Sequence, residues 1–451
     1  MKRRTCSSIL VTMALLLTQA PVALAATTWY VNGSTGSDTN NCRSATVACR
    51  TIGHAISLAA SGDSVRIAAG TYNEHVLIKS SLNLIGSGAA TTIIDGHVES
   101  GTVFAVWPGI TVTLENVTIR NGWNLYLGGG VRNLGTLEIV GSTIESNSVG
   151  GSGIGGASGG GIRNDPGATL TIRQSTIAGN RAYNQCVSRT SLCGAVGGGI
   201  SNAGGLALIN STVYGNTAHG TRNGVANGAG GGIAGGGEIS NSTISGNTAN
   251  AYGGGIYAGT AVLQNSIVAG NGGGNCAGGY VISNGYNLSS DASCHLTGPG
   301  DRNNTDPGVG TFGYNGGQTQ TIPLVSGSHA VDAGNPGGCA DYQGHLLTTD
   351  QRGYPRPDKE DKVGCDVGAY ELQQSSWTLT GLCWGSVYRG APQQCGIAQD
   401  LTQCPEGQPV VTLTTVSGCL PPQTQAVDHS RLCRAQNSSG HMITGYCQAR
   451  Y

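Results

Sequence analysis

Enzymatic work on a polymer needs acidic side chains in groups. Metal-assisted proton abstraction needs clustered carboxylates to hold calcium, with a basic residue beside them. Hydrolysis of a sugar linkage needs a carboxyl pair at short range. Between residues 102 and 275 the acids are only Glu115, Glu138, Glu145, Asp165 and Glu238. They share no repeat position and form no Asp-x-Asp or Asp-Asp cluster. Glu145 falls one repeat from Arg120, where the two are expected to pair. Other acids gather at the ends: Asp63, Glu74, Asp95 and Glu99 on one side, Asp332, Asp350, Asp366 and Glu371 on the other. The second group, with Arg352 and Arg356, reads as ion pairs and turns, and Asp341 and His345 are a lone pair. The sequence nominates no catalytic residue, no metal ligand and no cofactor.

Binding chemistry is better represented. Trp123, Tyr126, Arg181, Tyr183, Arg189, His219, Arg222 and Tyr252 all fall in variable connections, in a chain with only 5 % aromatic residues. Aromatic faces stack on apolar ring faces, and guanidinium forks bond carboxylates or sulfates. Arg132 and Arg163 hold equivalent repeat positions and are expected to form a short basic ladder for an anionic glycan. The alternative is that the aromatics pack the connections down and the arginines are solvated.

The elements that position these residues follow from two alternating signatures. One is Gly-Gly-Gly before Val131, Ile162, Ile200, Ile233 and Ile256. The other is Ser-Thr-Ile-x-x-Asn or a near variant, ending at Asn147, Asn180, Asn216, Asn247 and Asn271. Between them lie alternating segments such as Thr136-Leu137-Glu138-Ile139, which read as strands. Each unit is thus three short strands and three corners. The Ile or Val after Gly-Gly-Gly precedes that of the second signature by 13, 15, 13, 11 and 12 residues, while successive asparagines lie 33, 36, 31 and 24 apart. The length variation is confined to one corner. A solenoid explains this, because stacked strands must keep their length while one corner extrudes loops. The fold expected is all-β, a parallel β-helix whose asparagines form a hydrogen-bonded ladder at a corner.

Glycine is 77 of 451 residues, which the repeat pattern explains. The first 25 residues read as a signal peptide: Lys2, Arg3 and Arg4, an apolar run through Leu15–Leu17, then Ala23-Leu24-Ala25. No later stretch reads as a transmembrane segment. Removing the leader leaves 20 basic residues against 24 acidic ones, which argues against a nucleic-acid partner. Of the fourteen cysteines after Cys6, eight fall in close pairs: Cys42/Cys49, Cys186/Cys193, Cys276/Cys294 and Cys339/Cys365. Disulfides are expected, as an oxidising compartment permits. Residues 26–100 form an N-terminal cap and first coils, with a helix over Thr51–Ala59; 101–290 are the repeats; 291–372 are C-terminal coils; 373–451 are a small module with six further cysteines.

Three stretches carry a resemblance. Trp29–Asn32, Gly70-Thr71-Tyr72 and Leu84-Ile85-Gly86 resemble the start of right-handed β-helix proteins of the pectate lyase kind. The Gly-Gly-Gly-Ile and Ile-x-x-Asn pair is similar to the repeats of polymorphic outer-membrane proteins of Gram-negative bacteria. Asn315–Thr319, His329–Asn335, Thr349–Gly353 and Gly364–Glu371 resemble the choice-of-anchor Q domain of bacterial surface proteins. These resemblances imply a right-handed solenoid that is secreted or displayed at a Gram-negative surface. The repeats specify fold far more than function. Three functions are expected in turn: a non-catalytic protein whose loops contact a polysaccharide or cell-surface component; a polysaccharide lyase or epimerase-like enzyme, for which calcium is the implied cofactor; and a spacer that displays the cysteine-rich module.

Overall fold

A computed structural model describes residues 26–97, 99–152, 155–186, 193–325, 327–358 and 364–373. It also gives the backbone of four strands beyond them, Ser375–Thr378, Val411–Thr412, Gln425–Asn437 and Met442–Arg450. Residues 1–25, where the signal peptide is expected, and the side chains of the C-terminal module, with its six cysteines, lie outside the described residues.

The chain is a right-handed parallel β-helix with three faces. The first face stacks Val76–Ile78, Phe104–Val106, Val131–Asn133, Ile162–Asn164, Ile200–Asn202 and Ile233–Ala234. The second runs from Thr28–Val31 through Thr136–Val140 and Thr169–Arg173 to Gly237–Ser240. The nine-residue strand Ile256–Gln264 joins both faces, and Cys276–Ser283 stacks on it as the next rung. The third holds nine short strands, from Gly70–Tyr72 through Thr143–Glu145 and Thr176–Ala178 to Leu288–Ser289. Every pairing along these faces is parallel. The inward positions are Ile, Val and Leu: Ile139, Ile162, Ile177, Leu208 and Ile244 are fully or almost fully buried in one continuous core. Each such side chain contributes about 1.5–3 kcal/mol relative to exposure.

The corners explain the polar half of each signature. Asn147 Nδ2 donates to Asn180 Oδ1, Asn180 to Asn216, Asn216 to Asn247 and Asn247 to Asn271, at 2.9–3.0 Å. The serine of Ser-Thr-Ile works similarly: the N–H groups of Ser142, Ser175, Ser211 and Ser242 donate to the hydroxyls of Ser175, Ser211, Ser242 and Ser266. A shorter ladder, Asn133 to Asn164 to Asn202, lines another corner. Gly-Gly-Gly is required sterically. Gly159 has φ +74, and a Cβ on Gly160 would lie 2.4 Å from Arg181 C.

The N-terminal end is capped by a helix, Ile52–Leu58, which Thr51 starts by accepting the N–H of His54 and which buries Ile52 and Ala55. The disulfides are Cys42–Cys49, Cys186–Cys193, Cys276–Cys294 and Cys339–Cys365. Among the described residues no helix is long and apolar enough to cross a membrane.

The C-terminal stretch departs from expectation. After one further rung, where Arg302 pairs in parallel with Leu288, the described residues of 307–372 fold back along the third face. The side chains that hold them sit just before the serine of the second signature in four successive repeats. Gln174 Nε2 donates to Asp350 O, Asn210 Nδ2 to Thr349 O, Asn241 Nδ2 to Ala340 O and Asn265 Nδ2 to Asp366 O. The outward threonines complete the seam: Thr176 Oγ1 donates to Gln320 O, Thr212 Oγ1 to Gln351 Oε1, and Thr243 Oγ1 accepts the N–H of Ala369. Tyr214 stacks on Phe312 with centroids 4.2 Å apart. A threonine row offers hydroxyls but little charge, so it can be buried once each hydroxyl is bonded.

Candidate functional site: a fin on one corner of the solenoid

The variable connections are sheets rather than loops. Trp123–Asn124, Ser148–Ser152, Arg181–Cys186, Thr217–Arg222 and Thr248–Ala249 leave the third face and pair in parallel register. Ala157–Ser158, Ala195–Val196 and Gly228–Ala229 return as a second sheet. The two layers enclose a thin core of Val149, Ala157, Ala182 and Ala195. Small residues suit the narrow gap, and alternation along Arg181–Cys186 buries Ala182, Asn184 and Cys186 while leaving Arg181, Tyr183 and Gln185 outward. Cys186–Cys193 ties the two layers near the tip. The result is a fin along the corner, ordered by the same coil-to-coil register as the solenoid.

Arg189 lies outside the described residues, and the structure divides the other nine candidate binding residues among two surfaces and the tip. On the outer surface, Trp123, Ser148, Arg181 and Thr217 lie in one row across successive strands. Tyr183 and His219 form the next row, their rings stacked at 5.8 Å. The Arg181 guanidinium lies 4.6 Å from the Tyr183 centroid. Trp123 is 43 % exposed. Tyr126, 50 % exposed, lies over Gly155. Arg222 ends its strand at the tip, opposite Cys186.

The other surface is the crease where the returning sheet meets the first face. Each Gly-Gly-Gly folds the chain so that the residue before it and the second residue after it face the same crease. Successive coils contribute Leu127 and Arg132, Ser158 and Arg163, Val196 and Ser201, Ala229 and Ala234, and Tyr252 and Tyr257. Arg132 and Arg163 are neighbours in register, but they do not form a free basic ladder. Both donate from Nε to Asp165, at 2.8 and 2.9 Å. Arg163 Nη1 also bonds Ser158 Oγ and Ser201 Oγ. Tyr252, 58 % exposed, lies beside Tyr257 with centroids 6.3 Å apart at the far end. Asp165, Ser158 and Ser201 were not singled out from the sequence. The signal for the serines was their fixed offset from Gly-Gly-Gly.

The acids form no paired centre on this side. Asp165 is the one carboxylate of the crease rows, and two arginines hold it. Arg120 bonds Asp95 at 2.8 Å rather than the expected Glu145, whose carboxyl burial pushes above its ordinary value. Asp341 pairs with His345 at 3.4 Å and with Arg173 at 3.7 Å under the folded-back segment. Among the described residues, one grouping has metal-ligand chemistry: Cys42, Cys49 and His54. The disulfide between the two cysteines removes their thiolates. The described surface therefore offers exposed aromatics, guanidinium donors and a ridged sheet, which suit recognition of a polymer. The sequence matches no family model and no curated protein.

Proposed function

We propose that this is an exported, non-catalytic β-helix protein of a bacterial surface that contacts glycans through the fin. The observation that carries this reading is the exposure of Trp123, Leu125, Tyr126 and Tyr252, all at least 43 % accessible, on or beside one rigid fin. Aromatic side chains held by paired strands bind with little ordering cost, and pyranose faces are their natural partners. The four disulfides fit an oxidising, extracellular compartment. Placement at a Gram-negative outer surface, and kinship with choice-of-anchor Q proteins, rest on the residues quoted for those resemblances.

A second reading is a spacer that displays residues 373–451. It is favoured by the anchoring of the chain just ahead of that module: Leu372 N donates to Asp366 Oδ2, and Arg352 Nη2 to Glu371 O. Retention of the full mature chain on immobilised neutral and acidic polysaccharides separates the two. Glycan contact predicts retention that Trp123→Ala weakens about tenfold. Retention that survives Trp123→Ala but vanishes on deleting 377–451 selects the spacer. Release of unsaturated uronates would overturn the non-catalytic reading.

A further inference from the structure

The described part of the fin carries basic side chains and no acidic one. Its described residues within 122–130, 148–161, 181–199, 217–232 and 248–255 include Arg181, Arg222 and His219 and no Asp or Glu, whereas the whole chain has 23 basic and 24 acidic residues. Glu99 belongs to the connection that pairs with Trp123 from its other side through Gly101.

Arg181 is exposed and its guanidinium rests on Tyr183, which rests in turn on His219. Among the described residues it has no salt bridge. A stacked guanidinium keeps its N–H edge free, and that edge matches a carboxylate or sulfate in a bidentate geometry. Trp123 lies in the same row, separated from Arg181 by Ser148 alone. Two strand spacings place them about 9–10 Å apart. A pyranose stacked on Trp123 can therefore set the acidic group of a neighbouring sugar on Arg181.

Resting on the glycan-contact reading above, we infer that the outer surface of the fin recognises acidic polysaccharide, with Trp123 taking a ring and Arg181 the carboxylate or sulfate. The probes are polygalacturonate and a sulfated galactan, with neutral galactan and single-stranded DNA as comparisons, on the full mature chain. The expected result is retention of both acidic polymers, weakened at least about tenfold by Arg181→Gln and by raised salt, with little neutral galactan or DNA retained. Thermal unfolding of the variant should match wild type, which removes misfolding as the cause. Neutral galactan held as tightly, or acidic binding untouched by Arg181→Gln, overturns the inference and leaves glycan contact standing. DNA held as tightly as polygalacturonate overturns it by making the surface a general polyanion binder. Retention of no glycan overturns both readings.

Discussion

Arg356 Nε lies 2.6 Å from Glu371 Oε2, and neither side chain has any exposed surface. Arg356 Nη1 also reaches Asn210 Oδ1 at 3.0 Å, so the pair clamps the folded-back segment to a solenoid corner. Its Nη2 is buried without a hydrogen bond. Removing the cation breaks a fully buried ion pair and takes the Asn210 contact with it. Arg356→Ala should cost about 3–5 kcal/mol in denaturant unfolding. A loss below about 1 kcal/mol would show that the clamp is not the anchor of the segment.

The same cluster gives a pH dependence. Burial, then repulsion from Glu371, pushes the Asp366 carboxyl up to about 8. The folded state thus keeps a proton that the unfolded chain releases near pH ~4. This contribution to stability is full below about pH 4 and falls as pH rises through 8, by up to about 1.4 kcal/mol per pH unit. Melting temperatures between pH 5 and 8 should decline for the wild type and flatten for Asp366→Asn. Equal slopes in the two proteins would refute the assignment.

An interior ladder rung should be costly to remove. Asn216 Oδ1 accepts from both the N–H and the Nδ2 of Asn180, while its own Nδ2 donates to Ile177 O and Asn247 Oδ1. Asn216→Ala strands several buried groups at once, and about 3 kcal/mol is expected from equilibrium unfolding. Asn216→Asp, which keeps the acceptor but not the amide donor, should also destabilise at neutral pH. A neutral result for both would mean that the stacked strands hold the corner unaided.

The fin should be separable from the solenoid. Cys186→Ser with Cys193→Ser removes the bridge at the tip and touches no coil face. Global unfolding should stay within about 0.5 kcal/mol of wild type, while amide exchange over 181–186 and 193–196 accelerates. A cooperative loss of the whole fold would show that the fin core supports the rod.

Legibility in the sequence followed the range of the interactions. The solenoid was readable because Ile162, Ile200 and Ile233 recur at a fixed offset from Gly-Gly-Gly and stack on one another in register. Repeat spacing likewise placed Asn180 and Asn216 on one corner, where their amides bond in series. The fin was visible only as variable length. Segments such as Thr217–Arg222 carry too few apolar residues for an alternating pattern, and their order comes from pairing with the coil before. The folded-back segment was least legible, since Gln174 and Asp350 meet across 176 positions. Its mark was the Asn-Ser-Thr of Asn210–Thr212 and Asn241–Thr243, where the asparagine turns the corner at positive φ and also serves as a docking point. Arg132 and Arg163 show the limit of residue type: the expected shared row is present, but Asp165, at no repeated position, decides their charge.

The claim that the fin is the glycan-contacting surface is tested most directly by mapping hydrogen–deuterium exchange of the full mature chain with and without polygalacturonate. The account predicts slowed exchange concentrated in 123–126, 148–152, 181–186 and 217–222, with the second face unchanged. Protection confined to the second face or to residues 373–451, with the fin unaffected, would contradict it.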